Sequence, residues 1–311
     1  MRDTQKPRLL ILVGPTGSGK TRTAIELAKK LDGEIISADS RYLYQELTIG
    51  TAKPSEAELA EAPHHLVNVT TLDRPWNLGL YLKEADRLIR VINTAGHLPI
   101  MAGGTGQYVR SIVQNWSVPE QHPVDELRDG LYAWGDEIGF ETLHQKLGLL
   151  DAEAASKIDW RNKRRTIRAL EVIFLTGRRF SELRTQAESE YDTLTLGIRW
   201  PRELLYQRID QRIDQMLNDG LVEEVSHLKQ LGLEESMKTL GAIGYTEISD
   251  YLDGQFDLEE AVRRIKHNTR VYVRRQANWF KPTDSSIHWF NATDPAMLVN
   301  MLDLVQSWLQ A

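Results

Sequence analysis

The sequence contains no cysteine among its 311 residues. This excludes a disulfide scaffold, a metal site built from thiolates and a cysteine nucleophile. The chain also has no run of about 18 apolar residues, the length that a membrane-spanning helix requires. Its short polar N-terminus, residues 1–8, leads directly into an apolar run and leaves no room for a cleaved signal segment. We therefore expect a cytoplasmic protein that does not bind membranes.

The chain likewise lacks an excess of positive charge. Its 38 lysine and arginine residues face 44 aspartate and glutamate residues, for a net charge of −6. Because binding to phosphates depends largely on Lys and Arg, this mean value argues against a nucleic acid as the partner. The length of 311 residues, 41% of them hydrophobic, predicts either one large domain with an insertion or two domains.

Short aliphatic runs alternate with helical patterns along most of the chain, which predicts a parallel sheet with helical crossovers. Strands are predicted at residues 9–13, 34–38, 65–69, 98–102, 193–198 and 287–290, and helices at 78–94, 202–231 with a break near Gly220, 258–280 and after Pro295. Strand signals disappear between about residues 117 and 191, where the sequence is helical and charged. We expect an α/β fold whose sheet core, residues 1–116 and 192–311, carries a helical insertion domain, residues 117–191.

A phosphate-binding motif of the form G-x-x-x-x-G-K-[ST] lies between the first predicted strand and the helical pattern that follows it. It comprises Gly14, Pro15, Thr16, Gly17, Ser18, Gly19, Lys20 and Thr21. The glycines let backbone N–H groups approach phosphate oxygens closely, and the helix N-terminus adds a positive dipole. Lys20 supplies a point charge, and the Thr21 hydroxyl is the predicted ligand of Mg²⁺. The parallel sheet core, flanked by helices, is therefore expected to be of the P-loop type.

The acidic strand end that a P-loop triphosphatase uses for its Mg²⁺ shell does not follow this motif in the usual place. The strand at residues 98–102 ends in Gly103-Gly104-Thr105-Gly106, whereas the strand at 34–38 is followed by Asp39. Ligands of open α/β sheets bind at the carboxyl ends of the strands. We therefore expect Asp39 and Thr105 to face the phosphate loop and to supply the chemistry of the site.

Five further motifs accompany the phosphate loop. They are IISADSR at residues 35–41, IGTAKP at 49–54, PHHL at 63–66, GGTG at 103–106 and RALEV at 168–172. In this order and spacing, over about residues 9–290, the chain resembles the tRNA dimethylallyltransferases, also called tRNA isopentenyltransferases. The resemblance implies transfer of a dimethylallyl group from dimethylallyl diphosphate to N6 of the adenine 3′ of the anticodon, at tRNA position 37, with Mg²⁺. It also implies that the loop holds the diphosphate of this donor rather than a nucleoside triphosphate.

The resemblance implies roles for single residues. Asp39 is the expected general base for the weakly nucleophilic adenine amine, and Thr105 orients it. Lys20 and the loop amides stabilise the departing diphosphate. Arg212 lies where the family has a further arginine on the diphosphate, and Arg208, one helical turn earlier, is the other candidate. A monomer is expected.

The family's tRNA-contacting positions form the largest set that the resemblance implies. They correspond here to Asp39, Ser40, Arg41, Tyr42, Thr105, Arg128, Arg164, Arg165, Thr166, Ile167, Arg168, Gly241, Ala242, Ile243, Gly244, Tyr245 and Thr246. Helical spacing predicts that the arginines of residues 161–168 share one side of a helix, whereas Ile167, Leu170 and Phe174 face inward. The sequence departs from the family pattern at residues 159–162 and at Gly241.

Two basic stretches qualify the mean charge. Residues 161–179 hold seven Lys or Arg residues and one acid, Glu171, and residues 263–281 hold seven and no acid. If the partner is tRNA, these stretches are the expected docking surfaces on an otherwise acidic chain. The aromatic residues within the second stretch, Tyr272, Trp279 and Phe280, are expected in the core rather than as stacking platforms.

Other functions stay open on the residues alone. A P-loop kinase for a small molecule would bind and hydrolyse ATP, and an isopentenyltransferase for free adenine nucleotides would not need the basic insertion. An RNA-binding regulator with a nucleotide switch is disfavoured by the arrangement of Asp39 and Thr105. The pair His64-His65 is expected to be structural, because neighbouring side chains of a strand point to opposite faces and chelate poorly.

Overall fold

The computed structural model describes residues 6–116, 125–182 and 188–311. The chain divides into two compact units, the first formed by residues 1–113 and 189–311 and the second by residues 114–188. These limits lie close to those predicted for the core and the insertion. The first unit contains the sheet, and the second contains helices alone among its described residues.

The first unit is built around a six-stranded parallel sheet, which confirms the expected α/β class. Its strands are β1 (Arg8–Val13), β2 (Gly33–Ser37), β3 (His64–His65), β4 (Leu98–Gly103), β5 (Asp192–Arg199) and β6 (Ile287–Asn291), in the order β3-β2-β4-β1-β5-β6. The carboxyl ends of β1, β2 and β4 consequently lie side by side, so the segments that follow them meet at one edge of the sheet.

The predicted strand at residues 65–69 is wrong in extent, because only His64 and His65 pair with β2. Leu66 and Asn68 adopt positive φ angles of 59° and 57°, and two such residues end an extended path. The two histidines have structural partners: His65 Nε2 lies 2.6 Å from Glu34 Oε2, and His64 Nδ1 lies 2.7 Å from the Ala62 carbonyl oxygen.

Fourteen helices occur in the described part of the chain. They are α1 (Lys20–Leu31), α2 (Glu56–Glu61), α3 (Leu78–Thr94), α4 (Gly106–Val113), α5 (Asp125–Ile138), α6 (Phe140–Leu150), α7 (Ala152–Lys157), α8 (Lys163–Thr176), α9 (Arg202–Asn218), α10 (Leu221–Gln230), α11 (Glu234–Leu240), α12 (Tyr245–Leu252), α13 (Leu258–Trp279) and α14 (Met297–Gln310). The expected break near Gly220 separates α9 from α10, where this glycine takes a φ of 101°. None of the helices that the structure describes is long and apolar enough to cross a membrane.

The core of the first unit follows from the alternation of side chains along its strands. In β1, Leu9, Ile11 and Val13 join a large cluster on one face of the sheet, whereas Leu10 and Leu12 join a second cluster on the other face. All five side chains are fully buried. Helices therefore cover the sheet on both faces, which is why β1 is a continuous aliphatic run.

The second unit has a separate helical core of α5–α8 that includes Leu131, Leu143, Ile167 and Leu170. The expectation that Phe174 faces inward is wrong, since this side chain is 49% exposed. The buried stripe of α8 runs through Ile167, Leu170 and the partly buried Ile173, and Phe174 is rotated a further ~100° around the helix. Arg161 precedes α8 and does not share its face with the helical arginines.

Candidate active site in the first unit

A cavity of about 380 Å³ opens at the carboxyl edge of the sheet. Its polar wall comes from the phosphate loop, from the segment after β2 and from the segment after β4. Its lining is Thr16, Gly17, Asp39, Ser40, Arg41, Gly50, Thr51, Gly104, Thr105, Gly106, Gln107, Ile209, Arg212, Ile213, Met216, Gly241, Ala242, Ile243, Gly244, Ile265, Thr269, Tyr272, Arg275, Gln276 and Trp279. The structure thus brings the phosphate loop, Asp39 and Thr105 into one cavity, as the strand ends predicted.

The phosphate loop joins β1 to α1, and hydrogen bonds within the protein define its shape. Gly17 and Gly19 adopt φ angles of 78° and 92°, which only glycine takes without strain. Ser18 N donates to the Pro15 carbonyl oxygen at 3.2 Å, and Lys20 Nζ donates to the same oxygen at 2.7 Å. From outside the loop, Trp200 Nε1 donates to the Ser18 carbonyl oxygen at 3.0 Å.

Lys20 is held in a desolvated environment beside Asp39 and Arg212. Burial lowers its pKa from 10.5 to about 8, with Asp39 raising the pKa and Arg212 lowering it further. An ammonium group in such a place lacks the hydration that would stabilise its charge. An anionic ligand in the loop would restore that stabilisation, so the geometry favours binding of a phosphate group at this lysine.

Asp39 and Thr105 are fixed through the backbone around them. Arg41 N donates to Asp39 Oδ1 at 3.0 Å, and Ser40 N donates to Thr105 Oγ1 at 3.0 Å. Thr105 N donates in turn to the Ala38 carbonyl oxygen at 3.0 Å. The two segments approach so closely that a Cβ at Gly103 would lie 2.2 Å from the Ala38 backbone. This contact explains the glycine at the end of β4.

Tyrosines surround the Asp39 carboxylate. Burial raises the pKa of Tyr42 to about 12 and that of Tyr272 to about 12, and the charge of Asp39 raises both further. Tyr81 and Tyr108 stack with ring centroids 3.6 Å apart, and burial also raises the pKa of each. These phenols stay protonated at neutral pH and contribute hydrogen-bond donors rather than charge.

The structure distinguishes the two candidate arginines of α9. Arg212 is half-buried, lines the cavity and donates from Nη2 to the Thr51 carbonyl oxygen at 2.9 Å. Arg208 is exposed, lies 4.4 Å above the Trp200 ring and donates from Nε to the Gly17 carbonyl oxygen at 3.2 Å. Arg212 therefore faces the ligand space, whereas Arg208 supports the loop from behind.

A buried carboxylate that the sequence did not indicate shapes the wall next to Arg212. Glu224 accepts hydrogen bonds from the backbone N–H groups of Thr48, Ile49 and Gly50 at 3.3, 2.8 and 3.4 Å. Tyr245 also donates its hydroxyl to Glu224 and is fully buried. Its expected role as a tRNA contact is corrected by this burial: the ring supports the cavity wall and presents no surface. No local motif marks Glu224, because its function depends on a segment far away in sequence.

The other predicted tRNA contacts of the first unit divide by position. Ser40, Arg41 and the segment from Gly241 to Gly244 line the cavity, and Arg41 Nη2 donates to the Leu240 carbonyl oxygen at 2.8 Å. Tyr42 and Thr246 are half-buried and lie outside the lining, and the Tyr42 hydroxyl donates to the Ala52 carbonyl oxygen at 2.9 Å.

Gln276 is a further site residue that sequence reasoning missed. It lies on α13, is 4% exposed and accepts a hydrogen bond from Thr16 N at 2.9 Å. Its Nε2 donates to the Gly104 carbonyl oxygen at 3.0 Å. The only sequence signal was its place among the basic residues 263–281, which directed attention to charge instead of to an amide.

Most charges of the basic stretch on α13 have acidic partners. Arg263 and Arg264 pair with Glu260 at 2.6 and 2.7 Å. Lys266 pairs with Asp214 at 2.6 Å, and Arg270 pairs with Asp210. The local excess of charge is therefore much smaller than the sequence suggested. Of its aromatic residues, Phe280 is buried as expected, but Tyr272 and Trp279 line the cavity.

The basic stretch of the second unit is partly neutralised as well. Arg128 Nη2 lies 3.0 Å from Glu171 Oε1, Arg168 Nη1 lies 2.7 Å from Glu171 Oε2, and that glutamate is fully buried. Arg164 and Arg165 are exposed. The tRNA contacts expected at Thr166 and Ile167 need correction, because these side chains are 0% and 1% exposed and face the helical core of this unit.

The candidate metal ligand Thr21 is half-buried at the start of α1, with the Tyr42 hydroxyl as a side-chain partner. The described residues contain no group of three or more His, Cys, Asp or Glu side chains that could hold a metal by themselves. A single hydroxyl at the end of a phosphate loop fits Mg²⁺, which takes few protein ligands and completes its shell with phosphate oxygens and water.

A parallel sheet, a phosphate loop and a polar cavity that faces it place the chain among P-loop-type transferases, and comparison with known proteins gives the family. A family model described as IPP transferase matches residues 42–283. The tRNA dimethylallyltransferase of Thermomicrobium roseum is 41% identical over 306 residues, 98% of this chain and 92% of that protein. The chain therefore belongs to the tRNA dimethylallyltransferase family, and the resemblance in its motifs is confirmed.

Solved structures agree with this assignment. The tRNA isopentenylpyrophosphate transferase of Bacillus halodurans superimposes with a TM-score of 0.73 at 36% identity, covering 98% of this chain and 97% of that one. A eukaryotic dimethylallyltransferase described as acting on tRNA superimposes with a TM-score of 0.83 at 26% identity, covering 97% and 79%. The expected P-loop-type architecture is thus shared with enzymes of this family.

Proposed function

We propose that the protein transfers a dimethylallyl group from dimethylallyl diphosphate to N6 of the adenine 3′ of the anticodon, at tRNA position 37, and releases diphosphate. The observation that carries the proposal is the single cavity in which the phosphate loop residues Thr16 and Gly17 face Asp39 and Thr105. A site for an anionic leaving group and a site for a base are thereby adjacent. Family membership supports the identity of both substrates.

The acceptor nitrogen needs help to react. The lone pair of an adenine N6 is delocalised into the ring, so the amine is a weak nucleophile that becomes acidic as its bond to carbon forms. Asp39 accepts the proton from N6, while Thr105, fixed by Ser40 N, orients the amine. The new N6–C1 bond forms as the allylic C1–O bond breaks, and the bonding electrons leave with the diphosphate.

The leaving diphosphate is stabilised at the phosphate loop. Lys20 and Arg212 supply positive charge, and the N–H groups at the start of α1 supply hydrogen bonds and the helix dipole. Mg²⁺, held at the Thr21 hydroxyl, would offset further charge on the diphosphate oxygens. Because Ile209, Ile213 and Met216 form an apolar wall on α9, the cavity also suits a hydrocarbon group and the face of a base.

The tRNA must present its adenine to this cavity. A base in a single-stranded loop can be splayed out of its stack and inserted into a pocket at modest cost. Arg164 and Arg165 of the second unit are the proposed phosphate contacts, since both are exposed. The monomeric state and the cytoplasmic location expected from the sequence stay predictions.

A labelling experiment tests the proposal. Purified protein is incubated with radiolabelled dimethylallyl diphosphate and Mg²⁺, together with unmodified tRNA, with tRNA carrying guanosine at position 37, or with AMP. We expect label in the first RNA only. Label in AMP alone would transfer the activity to free nucleotides, and label in neither, together with hydrolysis of ATP, would support a kinase instead.

A further inference from the structure

We propose that Gln276 is a positioning residue that couples the phosphate loop to the loop of Thr105, so that donor and acceptor are held in one register. The inference rests on the proposed function and adds to it a residue outside the reacting groups. One side-chain amide joins both halves of the site: its oxygen accepts from Thr16 N at 2.9 Å, and its nitrogen donates to the Gly104 carbonyl oxygen at 3.0 Å.

The amide is bound tightly in its place. Gln276 is 4% exposed, and a Cβ at Gly104 would lie 2.3 Å from its Nε2 atom, so no side chain fits between them. Loss of the amide would leave a buried donor and a buried acceptor without partners, which is unfavourable for each group. The two loops therefore keep a fixed separation only while this side chain lies between them.

The connection continues from Gly104 to the reacting groups. Thr105 follows Gly104 directly, and its Oγ1 accepts from Ser40 N, next to Asp39. The Tyr272 hydroxyl, one turn before Gln276 on α13, has both Gln276 and Thr105 as side-chain partners, and these hydrogen bonds lower its pKa against the effect of burial. A shift of the Gly104 carbonyl would therefore be transmitted to Thr105 and to the base.

The same amide defines which N–H groups the phosphate loop can offer. Thr16 N is already bound to Gln276, and Ser18 N is bound to the Pro15 carbonyl oxygen, so neither is available to a phosphate oxygen. Gln276 thus acts on the position of the loop rather than on its affinity. Since a misplacement of about 1 Å can reduce a rate about 100-fold, the expected effect lies in the chemical step.

The test compares Gln276→Ala and Gln276→Glu with the wild-type protein and with Gln306→Ala, an exposed glutamine of α14 far from the cavity lining. Single-turnover prenyl transfer at saturating tRNA and donor should fall about 10- to 100-fold in Gln276→Ala, with the Kd for donor within threefold. In Gln276→Glu the carboxylate still accepts from Thr16 N but repels the Gly104 carbonyl. Its rate relative to wild type should rise as pH falls, because a protonated carboxyl can donate again.

A second measurement does not require prenyl transfer. Inorganic pyrophosphate should slow hydrogen exchange in peptides that cover residues 14–21 and, through Gln276, also in those that cover residues 103–106. In Gln276→Ala the protection should be confined to residues 14–21. Protection of both segments in that variant, or a single-turnover rate within twofold of wild type, would overturn the coupling. Absence of prenylated tRNA with the wild type would instead refute the proposed function, while the exchange result would still decide on Gln276.

Discussion

The hydroxyl of Thr105 accepts a 3.0 Å hydrogen bond from the backbone N–H of Ser40, so the loop after β4 holds the segment that carries Asp39. The two residues come from strands that are neighbours in the sheet although 66 positions separate the residues Asp39 and Thr105 in sequence, counted as 105 − 39. A base that must take a proton from a weak nucleophile needs this fixed position, because the transfer requires hydrogen-bond distance.

Replacing Asp39 by Asn should remove the base while keeping its shape. We expect prenyl transfer to fall about 100- to 10,000-fold, the range for loss of a general base, because an amide cannot accept the proton. Donor binding should remain, since Asp39 does not belong to the phosphate loop. Single-turnover kinetics and calorimetric titration with dimethylallyl diphosphate check both parts, and near-normal turnover would show that another group is the base.

The affinity for diphosphate should depend on pH through Lys20. Its pKa is lowered to about 8 by burial, and a bound anion would raise that pKa, so binding is strongest while the lysine is protonated. We expect the Kd for pyrophosphate to be constant below about pH 7 and to increase as the pH rises above 8. Lys20→Met should bind weakly at every pH and lose this dependence; an unchanged profile in that variant would assign the titration to another group.

The two arginines of α9 should differ in their effects. Arg212→Ala removes a charge that faces the cavity, so we expect the Kd for donor to rise about 10-fold or more, as for loss of a charged hydrogen bond. Arg208→Ala removes an exposed group that contacts only Gly17 and Trp200, and the change in Kd should be smaller. Equal losses in both variants, measured by calorimetric titration, would mean that Arg208 also reaches the diphosphate.

Local sequence patterns predicted the elements on which the site is built. The G-x-x-x-x-G-K-[ST] motif placed a loop between β1 and α1, and the strand ends placed Asp39 and Thr105 beside it, because parallel strands share one carboxyl edge. The length of β3 was not predictable in this way. Two residues with positive φ, Leu66 and Asn68, end it within an otherwise strand-like run.

The supporting residues could not be predicted from local patterns, because their partners are distant in sequence. Gln276 bonds to Thr16, and Glu224 holds the segment that begins at Thr48. Charge counts were equally limited: residues 263–281 carry seven basic groups, yet Arg270 and others pair with acids of the same unit. Only the folded chain determines which charges have partners.

The close approach of β2 and β4 predicts a stability effect at Gly103. A Cβ there would lie 2.2 Å from the Ala38 backbone, which cannot move without disturbing the sheet. We expect Gly103→Ala to lower the free energy of unfolding by about 1–3 kcal/mol or more, the cost typical of overpacking. Gly130→Ala is a matched control in the interior of α5, where a Cβ meets nothing within 4 Å. It should be neutral or stabilise by up to about 1 kcal/mol. Urea denaturation of both variants measures the difference, and equal stabilities would contradict the contact.

The exposed arginines of α8 predict how tRNA binding responds to salt. Lys163, Arg164 and Arg165 occupy the first turn of this helix, which contains no acidic residue, so their charges oppose the helix dipole. Such an arrangement is unfavourable in the free protein and is relieved by a phosphate group. We expect the double variant Arg164→Ala/Arg165→Ala to weaken tRNA binding and to reduce the slope of log K against log[salt] by about one to two units, in proportion to the phosphates released. Lys146→Ala/Lys157→Ala removes two exposed charges from the same unit and should leave the slope unchanged. Filter binding between low and moderate salt measures both, and a slope that falls equally in the two variants would show that the second unit attracts RNA through its total charge and not through α8.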